Sequence, residues 1–441
     1  MLNRPVSPHR VSLPHVLQSS VVGAIVWSFL ALGLTACSGE PTPDPNLPPA
    51  RADLGELQPL ASWRTFAIDT LLEGRVQMGA RSGFVALIAR NGQVIHSKTS
   101  GHQDIEAGTP MSIDTRFHLA SMTKPVVAVA AMILVEEGKM ELDDLVSDYL
   151  PWVGSMPVAL LDDKGEIIGT EPQTTPMKIR HLLSFSSGIA GASFEKTPLV
   201  RRWRDEGIYA GEGSLGNRVE RLAVLPLLEQ PGTKWRYGAS LDVMAHIIER
   251  VAEQPLEVFM ERRIFTPLGM HATRYPKDTP KDAPLAKMYT QDAQGDLVFA
   301  PPPKHIADDW TPGGSGLVST APDYMRFALM LWNEGEYDGV RILKKETVLA
   351  MRQLEVPSDV LSVVGIEGLG FGFGVSVVAD ASKAIMPSRD GDYWWNGAYG
   401  TTFWVSPSTG IVIVVLQQNK MSENGGSPVA PFMVLGLALD D

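Results

Sequence analysis

The chain has 441 residues, a formal net charge of −12 and 44% apolar residues. That length suits one large domain or two modest ones, with enough apolar material for a sizeable core. The acidic balance argues against a nucleic-acid-binding role, which needs a basic face.

The N-terminal stretch carries Arg4 and Arg10 ahead of the apolar run VVGAIVWSFLALGLTA, Val21 to Ala36. This run is short for a membrane span and normal for the apolar part of a secretory leader, so residues 1–36 are expected to be a signal peptide. The run ends in LTAC, Leu34 to Cys37, which resembles a bacterial lipobox. Cys37 is the single cysteine of the chain, which excludes an internal disulfide. The resemblance implies a lipidated Cys37 and a membrane-anchored protein on the periplasmic side of the cell envelope. Ser38 at the next position implies sorting to the outer membrane. Residues 37–59 are rich in proline and poor in aromatic residues, the composition of an extended, semi-rigid spacer. The globular part, residues 60–441, begins near Leu60.

SWRTFAIDTLLEGRVQMGA predicts a helix with Phe66, Ile68, Leu71 and Leu72 on its inner side. GFVALIARNGQVIHSKTSG predicts a hairpin, because Asn91-Gly92 between two apolar runs is what a type I′ turn demands. Near the other end, TTFWVSPSTGIVIVVLQQN predicts a second hairpin turning at Pro407 to Gly410, and LGFGFGVSVV a further strand. Residues of about 140–300 are mostly helical patterns broken by proline and glycine. The economical arrangement is one antiparallel sheet built from both chain ends, with a helical insertion between them.

Two Ser-x-x-Lys pairs occur, Ser121/Lys124 and Ser193/Lys196. Chance alone supplies about one such pair in a chain of this length, so the spacing by itself carries little weight. Context separates the two. After Ser121, the residues Val126, Ala130, Ile133 and Leu134 recur at helical spacing until Gly138, and Pro125 is tolerable in a first turn. Ser121 is therefore expected at a helix N-terminus with Lys124 one turn on, on the same face. Ser193 lies in a glycine- and proline-bounded loop and is the chance match. A serine hydroxyl is a poor nucleophile until a neighbour takes its proton. A lysine does so when burial and nearby positive charge lower its pKa. Taken alone, the segment fits equally an N-cap serine beside a solvated lysine.

SMTKP followed by an apolar helix resembles the active-site helix of the serine β-lactamase and penicillin-binding superfamily. The likeness continues in order through IRHLLSFSSGI, PGTKWRYGASLDVMAHIIERV, GGSGLVSTAPDYMRFALML, GFGFGV and WWNGAYGTTFWVSP, over residues of about 60–420. The motifs are most similar to those of family VIII carboxylesterases, themselves similar to class C β-lactamases. The resemblance implies a mixed α/β (α+β) fold of the β-lactamase/transpeptidase kind. It implies a serine hydrolase acting on small ester or acyl substrates without a cofactor. Ser121 matches the nucleophile, Lys124 the first-motif base, and Tyr237 the second-motif tyrosine that shuttles the proton. Trp395, Asn396 and Gly397 stand where the third motif lies and imply substrate-binding positions. The backbone N–H groups of Ser121 and Ala398 would form the oxyanion hole. Ala239 replaces the asparagine that holds an acyl amide in β-lactamases, and Trp395 replaces the usual third-motif cation. Both departures favour a small carboxylic ester over a β-lactam or a D-Ala-D-Ala peptide. A non-catalytic penicillin-binding sensor on the same fold is the remaining alternative.

No Gly-x-Ser-x-Gly elbow and no His-Glu-x-x-His occurs, the nine histidines form no ligand-spaced cluster, and His246 is a lone structural histidine.

Overall fold

Asn91 and Gly92 both have positive φ, 49° and 81°, the pair of left-handed residues a type I′ turn needs. In the computed structural model they join β1 (Gly83–Arg90) to β2 (Gln93–Asp104), with Arg90 opposite Gln93. The structure describes residues 60–420 other than 191–196, 210–211, 281, 303–309, 358–359 and 361–366, and residues 434 and 438 beyond them. Residues 1–44 and 45–441 are separate units, and all described residues belong to the second. The leader, Cys37, the spacer and the Ser193/Lys196 pair lie outside the described residues.

Six more strands complete the sheet: β3 (Thr109–Pro110), β4 (Leu369–Phe371), β5 (Ser376–Val378), β6 (Tyr393–Asn396), β7 (Thr402–Ser406) and β8 (Ile411–Gln417). Their order is β4-β5-β6-β7-β8-β1-β2-β3, and every neighbouring pair is antiparallel. The two chain ends meet in the middle, where Phe84 pairs with Gln417 and Arg90 with Ile411. Side chains alternate across these central strands. Val85, Leu87, Val412 and Val414 enter the main core, while Phe84, Ala86, Ile88, Ile413 and Val415 enter a second one on the opposite face.

Helix α1 (Ser62–Gln77) closes that second core through Ile68 and Leu72. Phe66, expected to face inward, is 66% exposed: the buried stripe runs through Arg64, Ile68 and Leu72 at four-residue steps, leaving Phe66 outside it. Helix α2 (Thr123–Glu136) is the core of the molecule. Every residue from Thr123 to Leu134 is buried, so the helix is covered on all sides. It packs against α3 (Ser240–Ala252), while α4 (Ala321–Trp332) lies on β8, β7 and β1. Between about 140 and 300 the chain forms short helices, among them Ile179–Leu183 and Pro198–Glu206. Two small hairpins, Val158–Leu161 with Ile167–Glu171 and Tyr289–Gln291 with Leu297–Phe299, interrupt them.

LGFGFGVSVV is not one strand. It folds back on itself as β4 and β5, with Gly372 N–H donating to Val375 C=O at 3.0 Å. Gly374 at the reversal has φ 76° and presses on Ala128 of α2, where a Cβ would come within 2.6 Å of the alanine methyl. Phe371 and Phe373 are driven into the core.

Candidate active site

Ser121 follows an unusual backbone position of the core. Ala120 is buried against Met288 and Tyr399 and has φ 47°, a left-handed conformation that costs a residue with a Cβ about 1–2 kcal/mol. That kink turns the chain from the short strand Phe117–His118, which pairs with Val318–Ser319, into a single 3₁₀ turn, Ala120–Met122, and then into α2. The kink is held from both sides. Leu119 N–H donates to Leu317 C=O at 2.8 Å, Thr401 Oγ1 donates to Leu119 C=O at 3.0 Å, and Tyr324 OH donates to Met122 C=O at 2.9 Å. Ser121 is thereby presented, partly exposed, at the start of the central helix.

Lys124 lies three residues further on and is only 4% exposed, so it is not a solvated first-turn lysine. Its Nζ donates to Ser121 Oγ at 3.3 Å and, in a short hydrogen bond, to Gly314 C=O. The same Nζ stands 4.7 Å from the ring centre of Tyr237. The Tyr237 hydroxyl is 2.6 Å from Ser121 Oγ. The tyrosine sits in a loop clamped to the segment after Ile179–Leu183. Arg236 N–H donates to Phe185 C=O at 2.7 Å and Ala239 N–H to Ala190 C=O at 3.2 Å. Between them Gly238 passes so close that a Cβ would overlap Ala190. Two side chains, Lys124 and Tyr237, from distant stretches of sequence therefore converge on the Ser121 hydroxyl oxygen.

The end of β6 forms the opposite wall beside the Ala120–Met122 turn. Gly397 has no room for a side chain, because a Cβ there would overlap Leu119 C=O and Thr401 Oγ1, and its N–H donates to Thr401 C=O at 2.7 Å. Ala398 is exposed, and its N–H has no backbone acceptor among the described hydrogen bonds. Asn396 is half-buried and pairs with Thr402 at the strand end. Trp395 is half-buried, with its ring 5.6 Å from Tyr237 and edge-on to Phe371 at 5.2 Å. Phe185 and Trp235 complete this aromatic wall. His246 faces Glu249 at 3.3 Å and packs on Gly216, away from this cluster. Among the described residues no group of histidine, cysteine and carboxylate side chains is arranged to hold a metal.

One residue of the site went unnoticed in the sequence. Asp242, in the first turn of α3, is fully buried, and its Oδ1 accepts from Gly314 N–H at 2.8 Å. Burial pushes its carboxyl up to about 6, while the Lys124 charge and the amides of Gly314 and Gly313 pull it down. An acid in a first helical turn is ordinary in sequence, because the helix dipole favours it there. Only its position between the apolar Leu241 and Val243 hints at burial.

An amine and a phenol thus stand around one serine hydroxyl. The beta-lactamase family model matches residues 68–434. The chain belongs to the beta-lactamase family. A protein of Mycobacterium tuberculosis, Rv1367c, is 35% identical to this family member over 354 residues, spanning 77% of this chain and 86% of the relative. Esterase EstB of Burkholderia gladioli is 29% identical over 377 residues, spanning 79% and 89%. Among solved structures, EstCE1, described as a hydrolase with promiscuous acyltransferase activity, superimposes with a TM-score of 0.72 at 29% identity, covering 86% of this chain and 98% of its own. The fold is that of the β-lactamases and transpeptidases, and this beta-lactamase-family chain is a serine hydrolase.

Proposed function

We propose that the protein is a carboxylesterase that cleaves small neutral esters through an acyl-enzyme on Ser121. The observation that carries this reading is the convergence of Tyr237 OH and Lys124 Nζ on Ser121 Oγ. Ser121 Oγ attacks the ester carbonyl carbon as its proton passes to the Lys124–Tyr237 pair, which acts as general base and shuttle. The carbonyl oxygen, now an oxyanion, accepts from the N–H groups of Ser121 and Ala398. The C–O bond to the alcohol breaks, and the alcohol leaves with the proton that the pair returns. A water molecule then gives a proton to the pair, attacks the acyl carbon, and Ser121 regains its proton as the acid departs. Trp395 and Asn396 beside this position would meet the acyl or alcohol part of the substrate. The aromatic wall suits an apolar group and offers no cation to a carboxylate. The esterase relatives support the same substrate class.

The test is active-site labelling. A fluorophosphonate probe should add once, on Ser121, and Ser121→Ala should abolish both labelling and ester hydrolysis. Lys124→Ala and Tyr237→Phe should each lower kcat/KM by about 10²–10⁴-fold, the span typical of a general acid–base group. The losses should be far from additive, since the residues act as a unit. Ser193→Ala should leave activity intact. Labelling that persists in Ser121→Ala would overturn the assignment.

The protein also works from a membrane in this reading, with acyl chains on Cys37 holding it to the periplasmic face of the outer membrane. Several chains hold firmly where one binds only marginally. Cys37→Ser should release active enzyme into the soluble fraction and lose metabolic palmitate label. Label retained in that variant would remove the anchor from the account.

A further inference from the structure

Asp242 is a fully buried carboxylate one residue away from the catalytic contacts, and the proposed steps leave it without a task. Its surroundings are specific. Oδ1 accepts from Gly314 N–H at 2.8 Å, and the carbonyl of the same Gly314 accepts from Lys124 Nζ. Gly314 is seated on the carboxylate with no space for a side chain, because a Cβ there would stand 2.6 Å from Asp242 Oδ2. The carboxylate therefore grips one end of Gly314 and the lysine the other. An isolated buried carboxylate is costly, and this one has a buried cation as its neighbour.

We propose that Asp242 is a positioning residue that, through Gly314, fixes the place of Lys124 beside Ser121. This inference rests on the proposed role of Lys124. An ionised Asp242 accepts from Gly314 N–H in a charge-assisted hydrogen bond and so holds the carbonyl to which Lys124 Nζ is tied, which keeps Nζ within reach of Ser121 Oγ. The groups facing Asp242 are Lys124 from α2, the amides of Gly313 and Gly314, and the phenols of Tyr209 and Tyr275. Burial and the Asp242 charge push both phenols well above their ordinary range, so neither titrates near neutral pH. The Asp242 carboxyl is pushed to about 6, so it is mainly ionised at pH 8 and mainly protonated at pH 5.

The test compares wild type, Asp242→Asn and Ser121→Ala with a p-nitrophenyl ester between about pH 5 and pH 9. Asp242→Asn keeps an oxygen that can accept from Gly314 and removes the charge. At pH 8 it should lower kcat about tenfold or more with KM little changed, as expected when an interaction made in the transition state is lost. The ratio of wild-type to variant kcat should fall towards one as pH drops below about 6, where the wild-type carboxyl is itself neutral. A residue that only fills space gives a ratio independent of pH, and that result would overturn the proposal. Activity surviving in Ser121→Ala would instead overturn the esterase mechanism, so the two failures are distinguishable. If Asp242→Asn does not fold, Lys124→Gln carries the test. Without the cation, infrared difference spectra should show a buried carboxyl titrating at higher pH than in wild type. An unchanged titration would contradict the coupling.

Discussion

Gly397 shows how tightly single residues are held at the site. A Cβ there would overlap Leu119 C=O and Thr401 Oγ1, and these same groups hold the kink before Ser121. Adding one methyl forces the strand end away from the serine, and overpacking of this kind costs about 1–3 kcal/mol. Gly397→Ala should therefore lower both Tm and kcat/KM, the latter by more than about tenfold, since misplacement by an ångström at a reacting centre has large effects on rate. Ala398→Gly should leave both close to wild type, because Ala398 is exposed and the proposed oxyanion hole draws only on its N–H. Differential scanning fluorimetry with ester kinetics checks the pair. Equal effects of the two changes would mean that the strand end does not set the oxyanion geometry. Lys124 carries the other lesson at this scale. Burial and a nearby positive charge make a lysine available as a base. The structure supplies the burial, but the charge that acts on its neighbourhood is the negative one of Asp242.

The elements that could be foreseen are those whose signal is local. Asn91-Gly92 fixes a hairpin by its φ requirements alone, and the two flanking strands formed as expected. The repeat of Val126, Ala130, Ile133 and Leu134 up to Gly138 marks α2, and the helix occupies Thr123–Glu136. What could not be foreseen depends on contacts remote in sequence. The glycines of GFGFG alternate like a strand, yet Gly372 and Gly374 are required by the approach of Met351 and Ala128, and the chain reverses there. Phe66 has the character of a core residue, but the sheet face beneath α1 is filled by Ile68, Leu72 and the strand side chains. The left-handed Ala120 leaves no mark in composition, since alanine is not a residue that usually adopts it. Ser121, Lys124 and Tyr237 were legible because their motifs resemble those of a known superfamily, whereas Asp242 looked like a helix-start acid.

At the scale of the molecule, the sheet closes from both chain ends, and the first strand pairs with the last. This places the end of β6 next to the turn that starts α2, and α3 next to α2, so a serine, a lysine, a tyrosine and a strand edge meet from segments over 270 residues apart (Ser121 to Gly397 spans 397 − 121 = 276). The same architecture serves β-lactamases, so the choice of substrate falls to a few side chains. Trp395 packs on Tyr237 and Phe371, and in the proposed reading it stands in place of the cation that would meet a carboxylate. A charge-assisted hydrogen bond contributes about 1.5–3 kcal/mol. With about 1.4 kcal/mol per tenfold in rate, its absence costs about 10- to 100-fold on a substrate that carries the β-lactam carboxylate. Ala239, which by the motif resemblance stands where β-lactamases carry the amide-holding asparagine, would add to that loss in the same reading. A small neutral ester needs neither group.

Ester hydrolysis through Ser121 is tested by a side-by-side measurement of kcat/KM on the purified protein. With p-nitrophenyl acetate or butyrate, kcat/KM should exceed that for a chromogenic cephalosporin by at least about 10²-fold, and both should vanish in Ser121→Ala. Trp395→Lys should narrow the gap. Cephalosporin turnover equal to or faster than ester turnover would contradict the account and make the protein a β-lactamase by activity as well as by family.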